Sequence, residues 1–300
     1  MSGLFSCPSL SDYLLLPGRF KPMTDSSLHL LSAFTTDPNG GNPAGVWIGD
    51  TLPTPETMQR IAAEVGFSET AFVAPQTGFE RTVRYYSPEV EVPFCGHATV
   101  ATGVALGELS GEGTYKLATT VGEVRVVVSS QNGQLQASLT SVEPTHTLAP
   151  EVLVAETLSA LGWQQDELDL SIPPARAYAG AWHLILAVAQ AERLAHLDYD
   201  FEQLKKLMLR DGLLTLQLIW RESPNVFHAR NPFPVGGVVE DPATGAAAAA
   251  LGGYLRDAQL ISIPNQIVIR QGEAMGRPSR LVVDIPASGG IVVSGTAVRL

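Results

Sequence analysis

The chain alternates between short strand-like runs and a few helical ones. Runs of apolar or alternating residues bounded by Gly, Pro, Asn or Asp predict the strands, and Asn132-Gly133 predicts a tight hairpin. The predicted strands cover residues 28–34, 44–48, 70–74, 83–86, 114–118, 122–129, 135–139, 182–188, 214–219, 266–271, 280–285 and 291–299.

Two kinds of helix are predicted. Residues 55–65 have the spacing of an amphipathic helix, with Thr54 as N-cap and Gly66 as its end. Residues 151–161 and 201–210 are predicted helices as well.

Residues 96–109 and 243–256 are predicted to form a second kind of helix, made of small residues and apolar on every side. A helix without a polar face must be buried all round. Each follows a strand-turn region and a short polar motif, and hairpins come after it. We therefore expect an α+β fold of two pseudo-symmetric lobes, each a curled sheet around a central helix, with a ligand cleft between them.

The repeat also suggests where the lobes divide. We expect lobe 1 to comprise residues 28–142 and 290–300, and lobe 2 to comprise residues 143–289. Residues 144–150 are predicted to be a linker that crosses between them. Residues 1–27 are interpreted as an N-terminal extension. They are not predicted to be a signal peptide, because residues 1–21 lack a basic start followed by a proper apolar core.

The composition of the chain limits the kinds of partner and cofactor that it is expected to bind. The chain has 300 residues and a net charge of −11, which disfavours nucleic acid and anionic membrane surfaces. No apolar run is long enough to span a membrane. With only Cys7 and Cys95, we expect a reducing, cytoplasmic location. No zinc-type spacing or nucleotide-binding glycine motif is present, so no metal and no cofactor are predicted.

Glu69 is the first candidate for chemistry, since it interrupts a neutral, largely small and apolar stretch at residues 66–72. A carboxylate in apolar surroundings has a raised pKa, which suits a general base or acid near neutral pH. The alternative is a solvated glutamate at a strand start, or one that caps a helix.

Cys95, Gly96 and His97 open the first buried helix. A helix N-terminus offers free N–H groups and a positive dipole end, which favour an anionic ligand and lower the pKa of a nearby thiol. Alternatively, Cys95 is a small core residue and His97 a hydrogen-bonding residue at the helix start.

Asp241 precedes Pro242 at the start of the second buried helix, where capping alone would explain it. Because both buried helices begin with polar clusters, we expect their N-termini to face each other and to form an anion trap, with a base between them. Arg277, in a Gly-rich connection, has two interpretations: an anion contact or a solvated loop residue.

Five segments, taken together, resemble the PhzF-like (phenazine biosynthesis) isomerase family. They occur in order within residues 28–300. The segments are Gly41-Asn42-Pro43-Ala44-Gly45-Val46, Ser68-Glu69-Thr70-Ala71-Phe72, Cys95-Gly96-His97-Ala98-Thr99, Glu240-Asp241-Pro242-Ala243-Thr244-Gly245, and Gln271-Gly272 with Met275-Gly276-Arg277-Pro278-Ser279.

This resemblance implies the diaminopimelate-epimerase type of fold and a homodimer. It also implies that Glu69 is the general base and that His97 and Asp241 line the site, with Cys95 as a further catalytic candidate. The phenazine isomerase of this family has Ser directly after Thr-Gly, whereas this chain has Ala246 at that position. The positions expected to bind substrate are Asn42, Ser68, Gly96, Thr244, Gly245 and Ala246.

Two functions are compatible with these residues. The first is a cofactor-independent isomerase that moves a proton on a small carboxylate metabolite. The second is a non-catalytic protein that binds a small anion, which Ala246 favours. Related racemases use two facing cysteines, and Cys95 is the sole thiol in a suitable place; its pairing with Glu69 or Asp241 as an unequal acid and base stays open.

Overall fold

The computed structural model describes residues 26–300, which form seventeen strands and six α-helices. The strands are β1 (Ser27–Ala33), β2 (Asn42–Ile48), β3 (Glu69–Pro75), β4 (Glu80–Tyr86), β5 (Glu91–Val92), β6 (Gly113–Thr119), β7 (Gly122–Gln131), β8 (Gln134–Thr140), β9 (Thr145–Leu148), β10 (Ala175–Tyr178), β11 (Trp182–Val188), β12 (Thr215–Ser223), β13 (Val226–Phe233), β14 (Val238–Asp241), β15 (Asn265–Gln271), β16 (Ser279–Ile285) and β17 (Val292–Arg299). The helices are α1 (Pro55–Val65), α2 (Gly96–Ser110), α3 (Glu151–Leu161), α4 (Ala191–Ala195), α5 (Phe201–Asp211) and α6 (Gly245–Asp257).

The first lobe is a closed barrel around α2. Its strands pair in the order β1, β2, β3, β4, β6, β7, β8 and β17, and β17 returns to β1. Every residue of α2 from His97 to Gly107 is buried. The barrel encloses this helix because the helix has no polar face to present to water.

The second lobe repeats this arrangement around α6. The parallel pairs β2–β3 and β4–β6 of the first lobe correspond to the parallel pairs β11–β12 and β13–β15 of the second. Every residue of α6 from Ala247 to Arg256 is buried. Strand β17 belongs to both curled sheets, since it pairs with β16 as well as with β1 and β8.

Smaller helices cover the outside of the sheets. Helix α1 packs Met58 against Trp47 and Phe72 on the outer face of the barrel. Thr54 caps it by accepting a hydrogen bond from Thr57 N–H, and Gly66 ends it in the left-handed conformation. Helices α3 and α5 cover β11 and β12 in the same way, through a second apolar cluster.

The predicted fold class is confirmed, and most element positions agree with the sequence. The linker predicted at residues 144–150 is wrong in part, because it contains the short strand β9. The second buried helix begins at Gly245 rather than at residue 243, because Thr244 is its N-cap. The lobe boundaries stay predictions, and the predicted extension lies almost entirely outside the described residues.

No helix within residues 26–300 is both long and apolar enough to cross a membrane.

The close fit of α2 inside its barrel gives a testable expectation. A Cβ added at Gly103 would lie 2.7 Å from Ala137 Cβ and 2.8 Å from Val126 Cγ1. Gly103→Ala should therefore lower the free energy of unfolding by about 1–3 kcal/mol through overpacking, despite a gain in helix propensity of about 1 kcal/mol.

Urea unfolding followed by circular dichroism would measure this loss. Leu109→Ala, on the exposed end of the same helix, is the matched control and should change stability by less than about 0.5 kcal/mol. A Gly103→Ala protein as stable as wild type would show that the barrel yields around the added methyl group.

Candidate active site

One half of the candidate site lies where β3 begins beside the N-terminus of α2. Glu69 is the first residue of β3, and its side chain is 21% exposed. Its Oε2 lies 3.5 Å from Nε2 of His97, whose side chain is 8% exposed. Ser68 Oγ lies 3.4 Å from the same nitrogen. The parallel pairing of β2 with β3 places Glu69 beside Ala44, two residues after Asn42.

Cys95 caps α2 at the same place. Its Sγ lies 3.4 Å from Nδ1 of His97. Burial, and secondarily the charge of Glu69, raise the pKa of the Cys95 thiol well above its usual range. The expected lowering of this pKa by the helix N-terminus is therefore wrong, because desolvation outweighs it. The thiol stays protonated near neutral pH.

These side chains also have donor atoms that a metal ion could use. Glu69, Cys95 and His97 each offer one ligand atom, and these atoms all lie within 4.8 Å of one another. A carboxylate, a thiol and an imidazole are ligands that zinc accepts. Because the thiol must lose its proton to bind, its raised pKa opposes such binding.

The other half of the site centres on Asp241 at the end of β14. Its Oδ1 accepts a hydrogen bond of 2.9 Å from Asn42 Nδ2, and its Oδ2 accepts one of 2.5 Å from Thr244 Oγ1. Burial raises the pKa of Asp241 to about 6, although charge interaction with His97 and the bond from Thr244 act in the opposite direction. Asp241 thus titrates close to neutral pH.

Gln271 supports Asp241, a role that the sequence analysis missed. Its Nε2 donates to the backbone oxygen of Asp241 at 2.7 Å and to Thr244 Oγ1 at 3.0 Å. Its Oε1 accepts from Thr244 N–H at 3.2 Å. These bonds leave the Thr244 hydroxyl hydrogen directed at the Asp241 carboxylate. The available signal was a glutamine at the end of a β-strand within a family-like segment.

Arg277 binds backbone oxygens across the two lobes. Its guanidinium donates to Gly41 O at 3.0 Å, to Gly40 O at 2.6 Å and to Ser32 Oγ at 2.9 Å. Neither interpretation of Arg277 from the sequence included this role. The contacts fix the turn that carries Asn42, and so hold the Asn42 amide against Asp241.

The starts of the two buried helices offer N–H groups to a ligand. The first intrahelical bonds are donated by Thr99 and Ala248, so the N–H groups before them have no acceptor within the helix. A Cβ added at Gly96 would meet nothing within 4 Å, and one at Gly245 would meet Phe34 only at 3.7 Å. Both glycines therefore leave room for a small group.

The predicted site residues fall into two groups that the fold brings together. Ser68, Glu69, Cys95 and His97 form the group on lobe 1. Asn42 reaches from lobe 1 to Asp241 on lobe 2, and Thr244 donates to the same carboxylate. Charge interactions of Asp241 with His97 and Glu69 connect the groups. The remaining predicted residues, at the helix starts, are Gly96, Gly245 and Ala246.

Two shallow surface depressions, of about 260 and 230 Å³, lie elsewhere on the barrel surface. Neither is lined by Glu69 or Asp241. We attach no function to them, because their linings do not bring together the groups that proton transfer needs.

Comparison with known proteins identifies the family of this chain. The sequence model of the phenazine biosynthesis-like proteins (PhzC-PhzF) matches residues 31–300. The chain belongs to this family. A trans-2,3-dihydro-3-hydroxyanthranilate isomerase of Pseudomonas fluorescens is 33% identical over 255 residues, which cover 83% of this chain and 87% of the relative.

Other relatives support this family assignment, one by its sequence and one by its structure. The uncharacterized isomerase YfhB of Bacillus subtilis is 28% identical, with 92% of this chain and 97% of the relative covered. The crystal structure of a PhzF-family protein from Bacillus anthracis has a TM-score of 0.81 at 27% identity, with 92% of this chain and 97% of that chain covered. The expected enzyme class, an isomerase, is thereby confirmed for this phenazine biosynthesis-like protein.

The raised pKa of Asp241 predicts a pH-dependent stability. Between its ordinary value of 3.8 and about 6, the folded state keeps the proton that the unfolded chain releases. Stability contributed by protonated Asp241 is therefore complete below about pH 4 and is lost as the pH rises through 6. Relative to Asp241→Asn, wild type should lose up to about 3 kcal/mol between pH 4 and pH 7.5.

Denaturant unfolding of both proteins across this range would measure the difference. Asp198→Asn, at an exposed position, is the control and should follow the wild-type profile. Parallel profiles for wild type and Asp241→Asn would contradict the raised pKa.

Proposed function

We propose that this isomerase moves a proton on a small carboxylate-bearing metabolite without a cofactor, with Glu69 as the general base. The observation that carries the proposal is that two carboxyl groups, those of Glu69 and Asp241, interact with the same imidazole, that of His97. Glu69 is partly exposed beside His97, whereas burial raises the pKa of Asp241 to about 6. Such a pair provides one group that can take a proton and another that can hold or return it.

The helix N-termini supply the binding part of the proposal. The N–H groups at Gly96–His97 and at Gly245–Ala246 would hold the carboxylate of the substrate, because helix starts favour anions. This local attraction is needed in a chain whose net charge is −11. The same N–H groups would stabilise the negative charge that develops on the substrate when a proton leaves.

The proposed reaction is balanced without an oxidant or reductant. A carboxylate oxygen of Glu69 takes a proton from a carbon next to an unsaturated or carbonyl group. The electron pair of the broken C–H bond moves into that conjugated group. A proton then returns to a different carbon, from Glu69 itself, from His97 or from Asp241. When His97 or Asp241 gives the proton, protonated Glu69 passes its own proton to that group, directly or through solvent. The substrate is then isomerised and the protein regains its starting protonation.

Cys95 has a different part in this scheme. Because burial raises the pKa of its thiol, Cys95 is a poor base and a proton-bearing neighbour of His97. A racemase that uses two facing thiols is not favoured, since the matching cap of α6 is Thr244.

The substrate class is proposed from the relative in Pseudomonas fluorescens, whose name specifies trans-2,3-dihydro-3-hydroxyanthranilate. We propose a cyclic, unsaturated amino or hydroxy carboxylate of similar size. Ala246 replaces a hydroxyl-bearing residue at the start of α6, so the contacts to the substrate differ there. The homodimer and the cytoplasmic location that we expect from the sequence stay predictions.

Solvent proton exchange is the test. In heavy water, wild type should place deuterium at one carbon of trans-2,3-dihydro-3-hydroxyanthranilate or of a related carboxylate, as followed by NMR. Glu69→Gln should reduce this rate by about 10²–10⁴-fold, because the amide cannot accept the proton. Binding of the ligand should change little. Glu64→Gln, a surface glutamate paired with Arg60, is the control and should keep the wild-type rate.

Two other outcomes of this experiment would contradict the proposal. Exchange that persists in Glu69→Gln would remove Glu69 as the base. Ligand binding without exchange in wild type would favour the small-anion-binding protein instead.

A further inference from the structure

A cluster of uncharged polar side chains lies buried inside the second lobe. It comprises His183 on β11, Thr215 and Gln217 on β12, and Asn231 on β13, each with at most 1% of its surface exposed. Their side chains share the inner face of the sheet, since Ile185 and Ile219, two and four residues further along their strands, pack in the core around α6. Buried polar residues in such a place require partners.

The side chains of the cluster are hydrogen-bonded to one another. Asn231 Nδ2 donates to Gln217 Oε1 at 2.6 Å and to Thr215 Oγ1 at 3.3 Å. Thr215 Oγ1 lies 2.8 Å from Nδ1 of His183. We assign the hydrogen of the neutral imidazole to Nε2, which lets the Thr215 hydroxyl donate to His183 Nδ1 while it accepts from Asn231.

Three atoms of the cluster are left without a protein partner within residues 26–300. They are Nε2 of His183, Nε2 of Gln217 and Oδ1 of Asn231. As assigned, they provide two donors and one acceptor. Reversing both amides together with the His183 tautomer would leave one donor and two acceptors, so a ligand needs both capacities in either arrangement.

The cluster adjoins the candidate active site. Asn231 is the direct antiparallel partner of Asp241 across β13 and β14, and directly opposed side chains lie on the same face. Thr215 opens β12 beside His183 of the parallel strand β11, just as Glu69 opens β3 beside Ala44 of the parallel strand β2. Thr215 thus occupies in lobe 2 the position that Glu69 occupies in lobe 1.

We propose that His183, Gln217 and Asn231 form a binding site for a neutral hydroxyl oxygen, supplied by the substrate or by a trapped water molecule. Such an oxygen accepts two hydrogen bonds and donates one. It would accept from His183 and Gln217 and donate to Asn231. The substrate as the source rests on the proposed function; the site itself does not.

An anionic group does not suit this cluster. Burial lowers the pKa of His183 to about 3, so its imidazole is neutral, and no cationic side chain belongs to the cluster. A carboxylate there would lose its hydration without a compensating charge. The two parts of a substrate would therefore be separated, with the carboxylate at the helix N-termini and a hydroxyl in the cluster.

The test compares two stable ligands that differ by one hydroxyl group, anthranilate and 3-hydroxyanthranilate. Calorimetric titration of wild type should show tighter binding of the hydroxylated ligand, by about tenfold. Asn231→Leu, which keeps the size and removes the acceptor, should abolish this difference. Gln217→Leu provides a second variant should the first fail to fold. Asn225→Leu, in an exposed turn, is the matched control and should retain the difference.

A crystal structure of the ligand-free protein at high resolution separates the two sources of the oxygen. A hydroxyl-dependent affinity that Asn231→Leu removes supports the substrate as the source. An ordered water bonded to His183 Nε2 and Asn231 Oδ1, with no hydroxyl-dependent affinity, supports the trapped water. A dry cluster with no hydroxyl-dependent affinity overturns the proposal. Because these readouts do not involve proton exchange, they are independent of the test of Glu69.

Discussion

The structure depends on the burial of two helices that have no polar face. Helices α2 and α6 are stable in water only if a sheet surrounds each of them, and the two curled sheets provide this enclosure. Their capping residues, Cys95 and Thr244, are then carried into the protein interior along with the helices. Ionisable groups at the helix starts are thereby buried away from water. This burial raises the pKa values of Cys95 and Asp241.

Desolvation is the stronger force at both helix starts. A hydrogen bond to a charged group contributes about 1.5–3 kcal/mol, and Asp241 accepts two side-chain bonds, from Asn42 and Thr244. Its pKa is nevertheless raised to about 6. At Cys95 the hydrogen bond from the Ala98 backbone N–H is likewise insufficient to offset the rise in thiol pKa that burial causes. Burial therefore shifts both groups toward their protonated forms, with the pKa of Asp241 at about 6 and that of the Cys95 thiol well above its usual range.

The sequence revealed the local features of the fold better than its contacts across the chain. The absence of a polar face in residues 96–109 was enough to predict a buried helix, and Thr54 and Gly66 marked the ends of α1. Strand β9 was not predicted, since its four residues, Thr-His-Thr-Leu, lie between prolines and form a strand only by pairing with β10. The Asn42–Asp241 contact spans 199 positions, a separation that no local pattern encodes.

The same distinction applies to the polar interior of lobe 2. His183 interrupts an otherwise apolar strand, and Gln217 interrupts the apolar run of residues 216–220. The meaning of this visible signal depends on the register between β11, β12 and β13. That register shows that the two lobes carry different residues at equivalent positions. At matching positions lobe 1 has the ionisable Glu69 and lobe 2 has the neutral Thr215. A symmetric pair of bases would suit inversion at one carbon, whereas this inequality suits a proton that leaves one position and returns at another.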